Sequence, residues 1–463
     1  MLVPRERTRR DVPYVVPSWS DPVVARLTGV LGGPVGRYAV IGARGLTGVA
    51  AALVALGATM LALGVWQKGH CLLKGWNTPD QFWRACYSDL PVVHVSSVLA
   101  QRQLPWAAEV PSTQPPLSGL AMWVVAQVSP RAGQDVAAQQ WVFVLWTLAA
   151  VVLLAAAVLA VVALQPRRPW QAAHLAVSPV VATLALVSTD LLGVSLMLLG
   201  LWAWQRDHPW PAGILLGVAL LVRPFPLVVV VAVVLVARRR GDLLAGAQVL
   251  VGAVLGALAV LVPLVLVEPR ALAPLRDWWV QGAGYGALQM VPRLMGTPLP
   301  TTATTVVAVA GWVVAVGVAV RVSSRRRRRH RHAAPLPGVV QLSALMMLVV
   351  VLTAPSLSVQ SGLWLLPWLA LSARPWWEHL VWAFVETLHF VTTWLHIAFA
   401  TDPGRGLPPE TYALVVALRS AAWAWVLWRV WDEPDRLSPR PAVRPAGAAH
   451  RPAAAAATPP PTV

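Results

Sequence analysis

The stretch Gly45–Trp66 is apolar over its whole length, and runs like it recur down the chain. About 20 apolar residues are what a helix needs to cross the hydrocarbon core of a bilayer, where every backbone N–H and C=O must be satisfied internally. Further apolar runs follow at Val136–Gln165, Trp170–Val187, Leu191–Gln205, Pro211–Val222, Pro224–Ala237, Leu243–Val267, Thr301–Val320, Val339–Ala354, Gly362–Ser372, Trp376–Ala400 and Tyr412–Trp431. Several are short for a span and have to tilt or break. The chain is 57% hydrophobic and 12% charged, against roughly 25% charged residues in soluble domains. The expected fold is therefore an all-α polytopic membrane bundle of about twelve spans.

Charge sets the orientation. The net charge is +18, but no module of interleaved basic and aromatic residues accompanies it, so nucleic acid is not the expected partner. The arginines sit in short loops between apolar runs, a pattern that reads as cytoplasmic placement beside anionic lipid. Suppose that Gly45–Trp66 leaves the cytoplasm and that Pro115–Pro130 dips into the membrane edge without crossing. Arg167, Arg168, Arg206, Arg238–Arg240, Arg325–Arg329 and Arg374 then all fall inside. This gives a basic cytoplasmic arm over 1–44 and a transmembrane domain over 45–432, with an extracytoplasmic loop at 67–135. A Pro/Ala-rich tail over 433–463 is expected to be disordered and cytoplasmic. No cleavable signal peptide is expected, because the first apolar run lies far behind a basic tail.

That topology collects polar residues from distant segments on the outer side. Asp89, in CYSDLP, is preceded by Ser88 and followed by Pro91, an ordinary helix-start pattern. The helix after it shows an apolar stripe of Val92, Val95, Val98 and Leu99, with His94, Ser97, Gln101 and Arg102 opposite, as in a helix lying flat on a membrane. Asp89 thus reads both as a cap and as a carboxylate aimed at headgroup level. Asp190, in STDLL, is an acid at a span junction, where charges are costly and functional by default. Arg223, in VRPFP, breaks the positive-inside pattern at a proline-interrupted turn, and its planar fork suits a phosphate. Cys71 and Cys86 lie in the same outer segment and are either a disulfide or two free thiols.

Glu386, His389 and His396 share a face of Trp376–Ala400, where an intrahelical Glu–His contact, a metal or a sugar hydroxyl are the options. The spacing is not a standard metal signature. Trp278, Trp279, Tyr285 and Trp364 lie toward the outer side and can stack on a sugar.

In order, the chain carries CYSDLP, PPLSG, STDLLGVSLMLLGLWAW, GILLGVALLVRPFPLVV and SVQSGLWLLPWLAL. This set resembles glycosyltransferase family 87, actinobacterial integral-membrane enzymes of the GT-C superfamily that use polyprenyl-phosphate-mannose, from about residue 46 to about residue 430. The resemblance implies a GT-C-like helical bundle with an amphipathic helix in the first outer loop and a loop acid as catalytic base, which maps onto Asp89. The family's acid in an N-W-D-L context corresponds to Asp190. Its basic residue in K-L-Y-P corresponds to Arg223, followed by Pro224, Phe225 and Pro226. Its E-Y-P is here Gln114-Pro115-Pro116, and its S-P-Q-Y is Ser358-Val359-Gln360-Ser361.

The expected reaction is inverting transfer of a sugar, mannose first, from a polyprenyl-phosphate donor to a glycolipid or polysaccharide acceptor of the cell envelope. Asp89 and Asp190 are the catalytic candidates and Arg223 the phosphate ligand. His94, Gln114, Tyr285, Gln360, Glu386 and His389 are the substrate-binding candidates. No cofactor and no metal is expected. A flippase, with polar groups along a membrane path, and a non-catalytic scaffold, depending on Arg325–Arg329 and the tail, are the competing readings.

Overall fold

The structure is a computed structural model and describes residues 21–30, 43–280, 282–324, 337–372 and 374–432. Arg5, Arg7, Arg9, Arg10, the run Arg325–Arg329 and the tail 433–463 lie outside the described residues. Among the described residues no strand occurs. The principal helices are α1 (Pro22–Val30), α2 (Ala43–Gln67), α3 (Asp89–Ser96), α4 (Pro116–Val128), α5 (Val136–Leu164) and α6 (Asp190–Gln205). They are followed by α7 (Pro209–Leu220), α8 (Pro226–Arg240), α9 (Leu243–Val267), α10 (Thr301–Ser323), α11 (Val339–Thr353), α12 (Trp376–Phe399) and α13 (Pro409–Asp432).

Six helices, α2, α5, α9, α10, α12 and α13, are long and apolar enough to cross a membrane. Of the about twelve expected spans, six are therefore continuous helices of spanning length among the described residues. Shorter apolar helices fill the rest, α4, α6, α7, α11 and the Val359–Leu371 segment among them. Proline does much of the breaking. The run Trp170–Val187 becomes a 3-10 turn at Pro169–Ala172 and two short helices, Ala173–Ala176 and Pro179–Leu184, with the Ser178 hydroxyl accepting from Val180 N–H at the second start. Pro224 and Pro226 separate α7 from α8, since proline lacks the N–H that would continue a helix and suits its first turn.

Hydrogen bonds across the bundle sort the connections to two ends. Gln165 bonds to Leu371 O, and Gln205 to Leu164 O, at the end that holds Arg167, Arg168, Arg206 and Arg374. There Asp21 caps α1 and also accepts from the Trp376 N–H at 2.8 Å, which docks the N-terminal arm on the start of α12. At the other end Asp89 N–H donates to Val187 O at 2.7 Å, Leu117 N–H to Leu221 O, and Gly284 N–H to Pro355 O. Helix α4 starts beside Leu221, and near its other end Gln127 bonds to Arg102 O. Arg102 caps the 3-10 turn that follows α3, so both ends of α4 sit at one end of the bundle and it does not cross.

Small residues allow the closest helix approach. At Gly217 of α7 a Cβ would stand 1.9 Å from Ala253 O of α9, and at Gly256 one would stand 2.4 Å from Ile214 O. Close backbone contact of this kind drives helix association where lipid removes the hydrophobic incentive.

The expected flat amphipathic helix after Asp89 is shorter and sits differently. Ser97 is extended, with φ −131° and ψ 177°, and ends α3; its hydroxyl donates back to Val93 O and accepts from Leu99 N–H. Leu90, Pro91 and His94 are the buried residues, so His94 faces protein rather than water.

Candidate active site

The segment entering α3 is held from several sides. Cys71 and Cys86 are disulfide-bonded, and both are fully buried. Gln67 Nε2 donates to Ala85 O at 2.6 Å, and the Trp76 indole N–H to Cys86 O at 2.9 Å. The Ser88 hydroxyl donates to Leu186 O at 2.7 Å, beside the Asp89 N–H···O bond to Val187. Ser88 and Asp89 are therefore tied to Leu186 and Val187 in the irregular stretch that leads into Asp190. Irregular backbone at membrane depth persists only where protein groups satisfy it in this way.

Capping is not what these acids do. Ser88 is the N-cap of α3 and Thr189 that of α6, and neither makes a side-chain cap bond. Asp89 and Asp190 are the first residues of their helices, with carboxylates turned to other partners. Asp190 is buried and takes the Arg223 Nε–H at 3.0 Å through Oδ1. Its Oδ2 has no hydrogen-bond partner among the described residues. Arg223 reaches it from the α7–α8 turn and is 15% exposed, against 1% for Asp190, so the guanidinium edge is the open side of the pair. The bond to Asp190 is made through Nε, not through the Nη donors.

Asp89 is half-buried beside this pair. Burial pushes its carboxyl up to about 6; a hydrogen bond from Tyr87 and the Arg223 charge pull it down, while Asp190 adds to the rise. Two carboxylates and one guanidinium thus converge from three segments that are far apart in sequence. A carboxyl tuned close to neutral pH is suited to general-base work.

Other expected site residues lie in different surroundings. Gln114 accepts the Trp106 indole N–H through its carbonyl, just before α4 bonds to the Arg223 turn. Gln360 is buried in the 3-10 turn Val359–Trp364. Trp364 is fully buried, and a Cβ on Gly193, one turn below Asp190, would stand 2.6 Å from its ring. His94 is buried, with the Gly133 backbone beside its ring. Tyr285 is exposed; its carbonyl accepts from Tyr412 at 2.6 Å and from His389 at 3.3 Å. His396 stacks on Tyr412 at 4.5 Å.

Glu386 pairs with Arg419 of α13 at 3.1 Å and accepts the Trp423 indole N–H, where the sequence suggested a neighbouring histidine. Arg419 also donates to Gly286 O, Ser358 O and Val359 O, and so ties the 284–286 and 358–359 loops to the bundle. Arg419 stands near the middle of the apolar run of α13, and that position was the signal for it. Replacing Glu386 with Gln leaves a buried guanidinium without its counter-charge. A loss of about 3–5 kcal/mol is expected, seen as a lower melting temperature of detergent-solubilised protein, and unchanged melting would contradict the pairing.

Lys68 gave no sequence signal. It is fully buried at the end of α2, with its ammonium 2.9 Å from Gln67 Oε1 and 5.3 Å from the Phe390 ring centre, and burial lowers it to about 7. Arg223 is not alone at its end of the bundle, since Arg270 bonds to Ala108 O there. Among the described residues no three His, Cys, Asp or Glu side chains are grouped to hold a metal ion.

The sequence model of glycosyltransferase family 87 matches residues 113–355, a span that contains Asp190 and Arg223 and begins after Asp89. No curated protein and no solved structure matches the chain. The matched span covers more than half of the 463 residues, and the chain belongs to glycosyltransferase family 87.

Proposed function

We propose that this glycosyltransferase moves a sugar, mannose first among candidates, from a polyprenyl-phosphate donor to a glycolipid or polysaccharide acceptor outside the cell membrane. The observation that carries the reading is the convergence of Asp89 with the Asp190–Arg223 pair. A base and a cation side by side meet the two electrostatic demands of displacement at an anomeric carbon. The acceptor oxygen attacks that carbon while its proton passes to Asp89. The bond from the carbon to the phosphate oxygen breaks, and negative charge builds on the departing lipid phosphate, where Arg223 offsets it. One such displacement inverts the anomeric configuration. Asp190 holds Arg223 by its Nε edge, which orients the remaining donors.

The outward placement rests on two features. The Cys71–Cys86 disulfide suits an oxidising compartment, and Arg167, Arg168, Arg206 and Arg374 gather at the opposite end, as cytoplasmic loops do. The apolar helices beside the site suit a polyprenyl tail. No metal or cofactor takes part in this scheme.

The pH dependence tests it. Asp89 accepts a proton only as the carboxylate, so transfer should rise with pH through a midpoint of about 6. Initial rates over pH 4.5–8 measure this. A rate independent of pH through that window would remove Asp89 as the base.

A further inference from the structure

We propose that Gln67 and Lys68 are positioning residues for the transfer reaction: together they clamp the backbone turn at Ala85, from which the chain runs on to Asp89. The proposal rests on the reading of Asp89 as the base. Ala85 has φ +50°, in the left-handed region that a residue with a Cβ avoids and that persists only where the surroundings enforce it. Its carbonyl is held, since Gln67 Nε2 donates to it at 2.6 Å. The other end of the Gln67 amide is fixed in turn, because Oε1 accepts from the Lys68 ammonium at 2.9 Å. An amide whose oxygen faces a cation has its N–H groups left to offer, so Lys68 dictates which atom Gln67 presents to Ala85. Cys86, bonded to Cys71, fastens the next residue to the same end of α2.

Lys68 is itself anchored. Its backbone N–H donates to Gly64 O in the last turn of α2, and its side chain is fully buried. The ammonium stands 3.4 Å from Thr183 O and 5.3 Å from the centre of the Phe390 ring of α12. Thr183 lies in the last turn of the helix Pro179–Leu184, where an ending helix leaves carbonyls open. The same ammonium therefore reaches both walls of the Asp89 site. Through Gln67 it acts on the stretch before Asp89; through Thr183 it acts on the stretch whose Leu186 and Val187 carbonyls accept from Ser88 and Asp89. Burying an ammonium is costly, and among the described residues no carboxylate pairs with Lys68. An apolar side chain serves stability better at such a place. What the lysine adds is one point that joins the two walls in a single register.

The test is Lys68→Met, which fills the same space without the ammonium, with Gln67→Glu as a second variant. Gln67→Glu keeps an oxygen for Lys68 and removes the N–H that holds Ala85. Both should lower kcat about tenfold or more, since a reacting group misplaced by ~1 Å can cost about 10² in rate. The donor KM should stay within about twofold, because the clamp does not touch the Arg223 turn. Adding Ala85→Gly to Lys68→Met should recover most of the lost kcat, since glycine adopts the left-handed conformation without help. Melting of the solubilised variants checks that they are folded. An unchanged kcat in both variants, with or without a change in melting, overturns the proposal, and so does a loss of kcat that Ala85→Gly leaves in place. Asp89→Asn, run in parallel, separates this idea from the reading beneath it. Wild-type transfer by Asp89→Asn removes Asp89 as the base, and the role of the clamp with it. Transfer lost in Asp89→Asn but complete in Lys68→Met and Gln67→Glu removes the clamp alone.

Discussion

Asp89→Asn is expected to lower sugar transfer by about 10²–10⁴-fold while leaving the protein folded. The amide is close in shape to the carboxylate, and the anchors around it do not use that carboxylate. They are the Asp89 N–H to Val187, the Ser88 hydroxyl to Leu186 and the Cys71–Cys86 bond. The sign of the stability change is informative. Burial raises the folded-state pKa of Asp89 above its ordinary value, so the folded form binds a proton more tightly than the unfolded chain. Stability from this group is present at low pH and declines as pH rises through about 6. At neutral pH the neutral amide removes that penalty. Melting of Asp89→Asn at pH 7.5 should therefore be unchanged or higher, with activity gone. Wild-type transfer by the variant would sink the assignment.

Arg223→Ala is expected to fail in two separable ways. It strands the Asp190 carboxylate, which is 1% exposed. Breaking a buried pair from one side costs about 3–5 kcal/mol. It also removes the cation beside the departing phosphate, and losing one such stabilising group costs about 10²–10³ in rate. The double variant Asp190→Asn/Arg223→Ala distinguishes these effects. Its melting temperature should recover toward that of the parent, because no buried charge remains unpaired, and its transfer rate should stay low. Recovery of both would make the pair a structural device. Arg223→Lys should retain part of the activity, since a point charge replaces the fork.

How much of this was legible in the sequence follows from what membranes demand. The helices α2, α5, α9, α10, α12 and α13 could be read almost to the residue, because length and apolarity are nearly the whole signal for a span. The segment 169–187 could not, because its breaks depend on Ser178, Pro179 and bonds from Ser88 and Asp89, contacts distant in sequence. Charge placement in the loops is enough to bring Asp89, Asp190 and Arg223 to one end. The role of each acid was less visible. Asp89 looks like a cap in sequence, and only the position of its carboxylate beside Tyr87 and Arg223 shows that the cap is not made. Glu386 was visible as an intramembrane acid, but its partner Arg419 stands in the next span. Pairing between helices leaves no local spacing to find.

The most direct measurement is donor discrimination by purified protein in lipid vesicles, given either radiolabelled polyprenyl-phosphate-mannose or the corresponding nucleotide sugar with a membrane-extract acceptor. Label should pass from the lipid-phosphate donor with wild-type protein, fall to background with Asp89→Asn, and not pass from the nucleotide sugar. Label arriving from the nucleotide sugar, or arriving equally with Asp89→Asn, would contradict transfer from a lipid phosphate at the Asp89–Asp190–Arg223 cluster.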